Sequence, residues 1–432
     1  MKRMVRRSIA LAVVFVFATA SVAFAAVSWG SRVTLPGNYA WNYSNSLDYT
    51  GTPGAGSFKL HEAFVSDATL PEAVKYTSSA NGTAWSKPKK VSGPQHAEGS
   101  SLASAGSTVI VGWMTGFSSY DPAGAARRLQ VNVSQDSGAT WSGVQNLTAA
   151  TGKVDYPIVA AAKTSGGATN VYAAWVNAKN GKVMFRQSTN GGAWAAPITL
   201  GATTAKDTAT TYYGYANVAA VDDLIAVVWV AADTGTLKVR SIDLGGNAAA
   251  ANTLTNWNAA TTLTDKISLA HNGYPIASAS PQNTGVVTIA YNTATAQKYT
   301  KFNGTTVTAA GTTIYTHASP YTGGYSTAVE PAPGGGYVAM WGGCRNTGIA
   351  NPCNYGSTKA RFDLLASTSA NGTTWSAPAV VEAASNAQHL NDEASMVVIP
   401  DASGVKIFAQ YNTYKATYTY YDVWMRIATG SL

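Results

Sequence analysis

Residues 134–141 read SQDSGATW, and variants of that phrase return as SSANGTAW at 78–85, STNGGAW at 188–194 and TSANGTTW at 368–375. A catalytic motif is normally used once, so a turn followed by tryptophan that keeps returning reads first as structure. With Trp85, Trp141, Trp194 and Trp375 as a ruler, Trp257 fits after a longer loop. Val307 takes the tryptophan position in NGTTV, and Trp29 supplies a seventh mark. The intervals are 56, 56, 53, 63, 50 and 68 residues.

Each unit holds four short alternating segments. A strand such as VQNLT or PITL follows the tryptophan, then a small-residue segment such as GSSLASA or YPIVAAA. A very apolar segment ends in an aromatic (VIVGWM, VYAAWV, IAVVWV), and a fourth carries a basic residue (KVMFRQS, LKVRSI, KARFDLL). Period-2 segments, four per unit and without helical periodicity, predict an all-β fold: a seven-bladed β-propeller of four-stranded antiparallel blades. Six blades is the alternative if the Trp29 segment is not a blade strand. The chain opens with an outermost strand (29–35) and stops after a third strand (421–429), so the N- and C-terminal strands are expected to pair and close the ring.

Residues 1–25, MKRMVRRSIALAVVFVFATASVAFA, have the basic head, apolar stretch and small-x-small end of a cleaved signal peptide. The expectation is a secreted protein with one domain over 26–432, monomeric and not inserted in a membrane after cleavage. Removing the leader's four basic residues from 29 leaves 25 against 21 acidic, with no basic block to follow a phosphate backbone. That argues against a nucleic-acid partner. Cys344 and Cys353 are the only cysteines, and in an exported chain they are expected to form a disulfide. No metal site or cofactor is read from the sequence, since two cysteines without neighbouring histidines do not make a zinc site.

The repeated turn resembles the Asp-box, or BNR repeat, of the sialidase superfamily, Ser/Thr-x-Asp-x-Gly-x-Thr-Trp. Box 134–141 matches through Ser134, Asp136, Gly138, Thr140 and Trp141. Boxes 78–85 and 368–375 keep Gly82, Trp85, Gly372 and Trp375 but place Ala80 and Ala370 at the Asp position, while box 188–194 keeps Asn190, Gly192 and Trp194. The resemblance implies that the boxes are structural, on the face away from the substrate. It also implies an active site with three arginines, one in an Arg-Ile-Pro motif, an Asp acid/base and a Tyr–Glu nucleophile pair. Arg-Ile-Pro is absent, and Arg128, Arg186, Arg240, Arg361 and Arg426 recur in basic third-strand segments instead.

Function in a propeller gathers where the innermost strands begin. Aligning the small-residue segments predicts a ring of Glu98, Tyr156, Tyr215, Tyr274, Tyr325 and Glu393, with Asp48 and Tyr49 as the seventh unit. Asp155 and Asp392 adjoin it, His96, His271 and His389 lie close by, and Trp41 and Tyr411 belong to aromatic-rich stretches at the seam. Aromatic faces with carboxylate acceptors suit sugar rings. The expected function is therefore binding of extracellular or cell-surface carbohydrate without catalysis. The alternative is a sialidase-type glycoside hydrolase or a polysaccharide lyase, with Glu98, Tyr325, Glu393, His96 and His389 as candidate catalytic groups. A scaffold for an extracellular protein partner is the further alternative.

Overall fold

Small side chains set the architecture. The alanine- and serine-rich segments become the first strands of successive sheets, because only small side chains let so many backbones converge on one axis. The computed structural model describes residues 27–36, 40–41, 46–53, 56–66, 71–115, 127–149, 154–203, 215–231, 235–267, 275–280, 285–348, 353, 357–385, 389–415 and 421–432. The expected leader lies outside them.

First strands neighbour one another in a closed cycle. Leu47–Thr52 touches Ala97–Ala105, which touches Val154–Lys163. The cycle continues through Ala216–Val221, Ile276–Ala279, Tyr321–Pro331 and His389–Asp401, and returns to Leu47–Thr52. From each of the four first strands Ala97–Ala105 to Ile276–Ala279, a four-stranded antiparallel meander runs outward. The sheet starting at Leu47–Thr52 carries Ala40–Trp41 as a fifth strand. The last two first strands share one nine-stranded sheet, whose two halves pair, among the described residues, only at the parallel pairs Arg361↔His389 and Phe362↔Leu390. The arrangement is a propeller, and among the described residues its only helices are short 3₁₀ turns.

The termini pair as expected. Ser28–Trp29 and Val33–Thr34 lie antiparallel to Tyr421–Gly430, with Trp29 opposite Ala428 and Val33 opposite Met425. Ser395 Oγ accepts the backbone N–H of Ser46 (3.2 Å) and Leu47 (3.1 Å), tying the last first strand to the first. Cys344 and Cys353 are joined by a disulfide.

The boxes are turns between third and fourth strands, and their frame corrects the sequence alignment. Asp136 Oδ1 accepts the Thr140 N–H at 2.8 Å, while Ser134 Oγ accepts the Gly138 N–H at 2.8 Å. The Thr140 hydroxyl, the Thr140 N–H and the Ser134 hydroxyl all donate to the Asp136 carboxylate, and together they pull it down to about 2. Asn81 and Asn371 do the same work in their boxes, each accepting two N–H bonds at 2.8–2.9 Å. Their anchoring hydroxyls are Ser79 and Ser369. The Asp position therefore falls on Asn81 and Asn371 rather than on Ala80 and Ala370, in a turn one residue shorter. In the fourth box the left-handed glycine is Gly191 (φ 66°), not Gly192.

The tryptophans pack across blades. Trp141 meets Tyr76 of the preceding sheet edge-on at 4.9 Å, Trp257 meets Phe185 at 5.0 Å, and Trp375 meets Tyr299 at 5.6 Å. Val307 occupies the same place by a bridge to Phe302 and is 7% exposed. Gly138 has φ +80°, and a Cβ there would lie 2.0 Å from Tyr76 Oη.

Two outcomes follow. Gly138→Ala adds a collision to the left-handed strain and should cost about 2–4 kcal/mol. Gly143→Ala (φ +96°, nothing within 4 Å) should cost only about 1 kcal/mol; equal losses on chemical denaturation would refute the docking of Gly138. Removing residues 27–35, which takes away buried Leu35 and part-buried Trp29 and Val33, should cost on the order of 4 kcal/mol. An unchanged melting temperature would refute closure through these strands.

Candidate functional site

The channel mouth is shaped by a repeated irregularity. Four first strands slip register near their start, between Glu98 and Ser101, Asp155 and Ile158, Tyr325 and Ala328, and Asp392 and Ser395. Left-handed residues sit inside three of them: Gly99 (φ 62°), Ser326 (φ 46°) and Glu393 (φ 51°). A bulge re-aims side chains and ends regular pairing. Equivalent positions are therefore Glu98, Asp155, Tyr325 and Asp392. The ring read from sequence is one residue late at Tyr156 and Glu393, because a bulge leaves no periodic mark.

Of the predicted residues, Glu98 is 7% exposed and lies 2.7 Å from His96 Nε2, with His96 itself 2% exposed. Glu393 is half-buried and accepts Asn412 Nδ2 at 2.7 Å. His389 is 3% exposed, and its Nδ1 accepts the Ser385 N–H at 2.7 Å, which places the proton of the neutral ring on Nε2. Tyr215 is half-buried before its strand. The side chains of Trp41, Asp155, Tyr156 and Asp392, and all of His271 and Tyr274, lie outside the described residues.

Three tyrosines depart from expectation. Tyr49 and Tyr325 are each 4% exposed in apolar clusters, the latter against Phe362 (5.6 Å) and the disulfide. Tyr411 is fully buried with its hydroxyl on Glu382 at 2.9 Å. None offers a ring face at the mouth.

Asp48 also sits elsewhere. Its Oδ2 accepts the N–H of Ser104 at 2.6 Å, and Ser104 lies six residues beyond Glu98 along the adjoining strand. At about 3.3 Å per residue that is roughly 20 Å down the channel. There a cavity of about 260 Å³ is walled largely by alanines of the first strands, with Asp48, Lys163, Asp222 and Glu330 also in its lining. Burial pushes the Asp48 carboxyl up to about 7 against the pull of the Tyr49 and Ser104 N–H groups. Burial first, and the Asp48 charge second, raise Glu330 well above the usual carboxylate range. Glu330 was missed by the sequence reading, although it breaks the run of small residues in STAVEP.

Arg186, Arg426 and Arg345 are engaged in the scaffold. Arg186 donates to the carbonyls of Ala195 (2.7 Å) and Trp194 (3.3 Å) beside a box. Arg426 pairs with Glu382 at 2.7 Å. Arg345, also overlooked in the sequence, meets the fully buried Asp363 at 2.7 Å, where Tyr321 Oη donates at 2.6 Å.

No protein-family model matches the sequence, and no curated protein is similar to it. Among solved structures, it is similar to Trypanosoma rangeli sialidase in complex with sialic acid, at 13% identity and TM-score 0.43, over 79% of this chain and 55% of that one. It is similar to Hadza microbial sialidase Hz136 at 14% identity and TM-score 0.44, over 85% and 74%. A Dyadobacter fermentans protein of unknown function gives 12% identity and TM-score 0.48, over 93% and 98%. The chain spans about half the length of the Trypanosoma rangeli enzyme. At these scores the architecture rests on this chain's own strand pairing.

The cavity carboxyls set a pH dependence. A carboxyl raised on folding holds its proton in the native state where the unfolded chain has lost it. Stability therefore falls as pH rises from about 4 to about 7. Asp48→Asn should stabilise the protein at pH 8 by about 1–2 kcal/mol, a gain that disappears near pH 4. A variant no more stable than its parent at pH 8 would show that Asp48 is not held in a desolvated site.

Proposed function

We propose that the protein is an exported, monomeric, seven-bladed, sialidase-like propeller that binds extracellular or cell-surface carbohydrate at its channel mouth without hydrolysing it. Dividing the nine-stranded sheet at its two parallel pairs leaves one first strand per blade, which supports seven. The observation that carries the binding reading is Glu393. It occupies left-handed backbone at a bulge, and its carboxylate is oriented by Asn412. Strained non-glycine residues gather at ligand sites, where orientation matters more than local stability. Glu98 starts another first strand, and Tyr215 precedes a third. Carboxylates there suit sugar hydroxyls as hydrogen-bond donors.

The absence of hydrolysis is inferred from the arginines. Clamping a sugar carboxylate calls for planar guanidinium forks aimed at the ligand, whereas Arg186 and Arg426 spend theirs on carbonyls and Glu382. Glu393→Gln keeps an acceptor for Asn412 but removes the charge. On glycans selected by array, it should weaken binding about tenfold with the melting temperature unchanged. The parent should release no sugar from those ligands. Parent-like binding by this variant would remove the mouth as the site, and turnover would overturn the non-catalytic reading.

A further inference from the structure

His96, Glu98 and Glu72 converge at the junction of the first two sheets. Glu72 immediately precedes Ala73–Ser79, while His96 and Glu98 flank the start of Ala97–Ala105. The Ala97 N–H donates to the Glu72 carbonyl at 3.1 Å, fixing the two segments side by side. His96 and Glu98 stand two residues apart at the start of that strand, where extended backbone puts both on one face. His96 Nε2 lies 2.7 Å from Glu98 Oε1 and 3.6 Å from Glu72 Oε2, and the three donor atoms fall within 4.8 Å of one another. The side chains are 1% (His96), 10% (Glu98) and 16% (Glu72) exposed.

The geometry points to a site for a divalent transition-metal ion, zinc being the best fit. Tetrahedral ligands at about 2.0–2.2 Å from zinc stand about 3.4 Å apart. The His96–Glu72 pair is already near that spacing, and the His96–Glu98 pair reaches it by opening under 1 Å. A protonated imidazole balances one carboxylate, whereas a dication balances both and leaves the ring neutral. Burying two carboxylates together is costly unless their charge is met. One imidazole nitrogen with two carboxylate oxygens selects zinc-like ions over calcium and magnesium, which prefer all-oxygen shells. Three protein ligands leave a fourth position for water or a ligand atom. Glu72, the most exposed of the three, marks the side from which an ion enters.

This inference shares Glu98 with the glycan reading but rests on His96 and Glu72 as well, and it is tested without any sugar. The full mature chain, stripped with chelator, is titrated with zinc and with calcium by calorimetry and thermal melting. One zinc per chain should bind and raise the melting temperature, with affinity falling at acid pH as protons compete for the imidazole. His96→Asn and Glu72→Gln should each lose at least the roughly 10–100-fold in affinity that even a supporting group costs. Because His96 is deeply buried, Glu72→Gln, whose melting point without zinc should match the parent, carries the test if His96→Asn misfolds. No saturable zinc binding, binding undiminished in Glu72→Gln, or stronger stabilisation by calcium would each overturn the assignment.

Discussion

The contact on which the ring depends is a glycine pressed against the neighbouring blade. Gly138 abuts Tyr76, Gly82 abuts Phe408, Gly191 abuts Val133 and Gly372 abuts Tyr299. A Cβ at any of these would stand 2.0–2.5 Å from the partner. The box therefore acts twice. Its serine and acid or amide close the hairpin, and the left-handed glycine then lets the turn settle on the adjacent blade, where Trp141 and Trp375 add an edge-on aromatic contact. The Gly82–Phe408 contact joins the first sheet to the last, so the link that repeats between blades also spans the seam.

A second constraint acts at the axis. First strands crowd together, and their inward positions are reduced to Ala103, Ala161, Ala219, Ala277, Ala328 and their neighbours. Such a wall cannot solvate charge, which is why Asp48 and Glu330 hold their protons so strongly. The opposite case lies in the first sheet. His61 is buried between Thr50 (2.8 Å) and Tyr76 (2.7 Å), and burial drives its ring down to about 3. It remains neutral there, and the Tyr76 hydroxyl it meets borders the Gly138 box. One tyrosine thus meets both the buried histidine of the first sheet and the box of the next.

What the sequence revealed was what local spacing encodes. The tryptophan turns, the alternating segments and the cysteine pair each leave a mark within a short stretch, and counting the repeats then leads to the pairing of the terminal strands. What it concealed was offset. Asn81 and Asn371 complete boxes one residue shorter than 134–141, which an ungapped alignment places on Ala80 and Ala370. Bulges moved the ring from Tyr156 to Asp155 and from Glu393 to Asp392, since one extra residue reverses which face a side chain takes. Asp48 was set at the mouth although its strand meets the adjoining one at Ser104. Tyr325 reads as a rim residue in the sequence, whereas Phe362 and the disulfide cover it in the fold. These depend on contacts between distant segments, which no window of sequence contains.

The mouth and the channel therefore differ in kind. In the channel, Asp48 and Glu330 sit in a small cavity lined largely by alanines, where burial favours their neutral form. At the mouth, Gly99, Ser326 and Glu393 occupy the same left-handed position in three bulges. Glycine takes that conformation without strain, as Gly99 does, so the backbone alone does not call for glutamate. Placing Glu393 there accepts strain of order 1–3 kcal/mol to put a carboxylate where an asparagine holds it. Carrying it on a bulge turns it out of the strand's regular alternation, which would otherwise direct side chains alternately to the channel and the blade interior. The charge that could meet a ligand in water is thus built into the irregular backbone at the mouth, and the regular strands below it are left to pack.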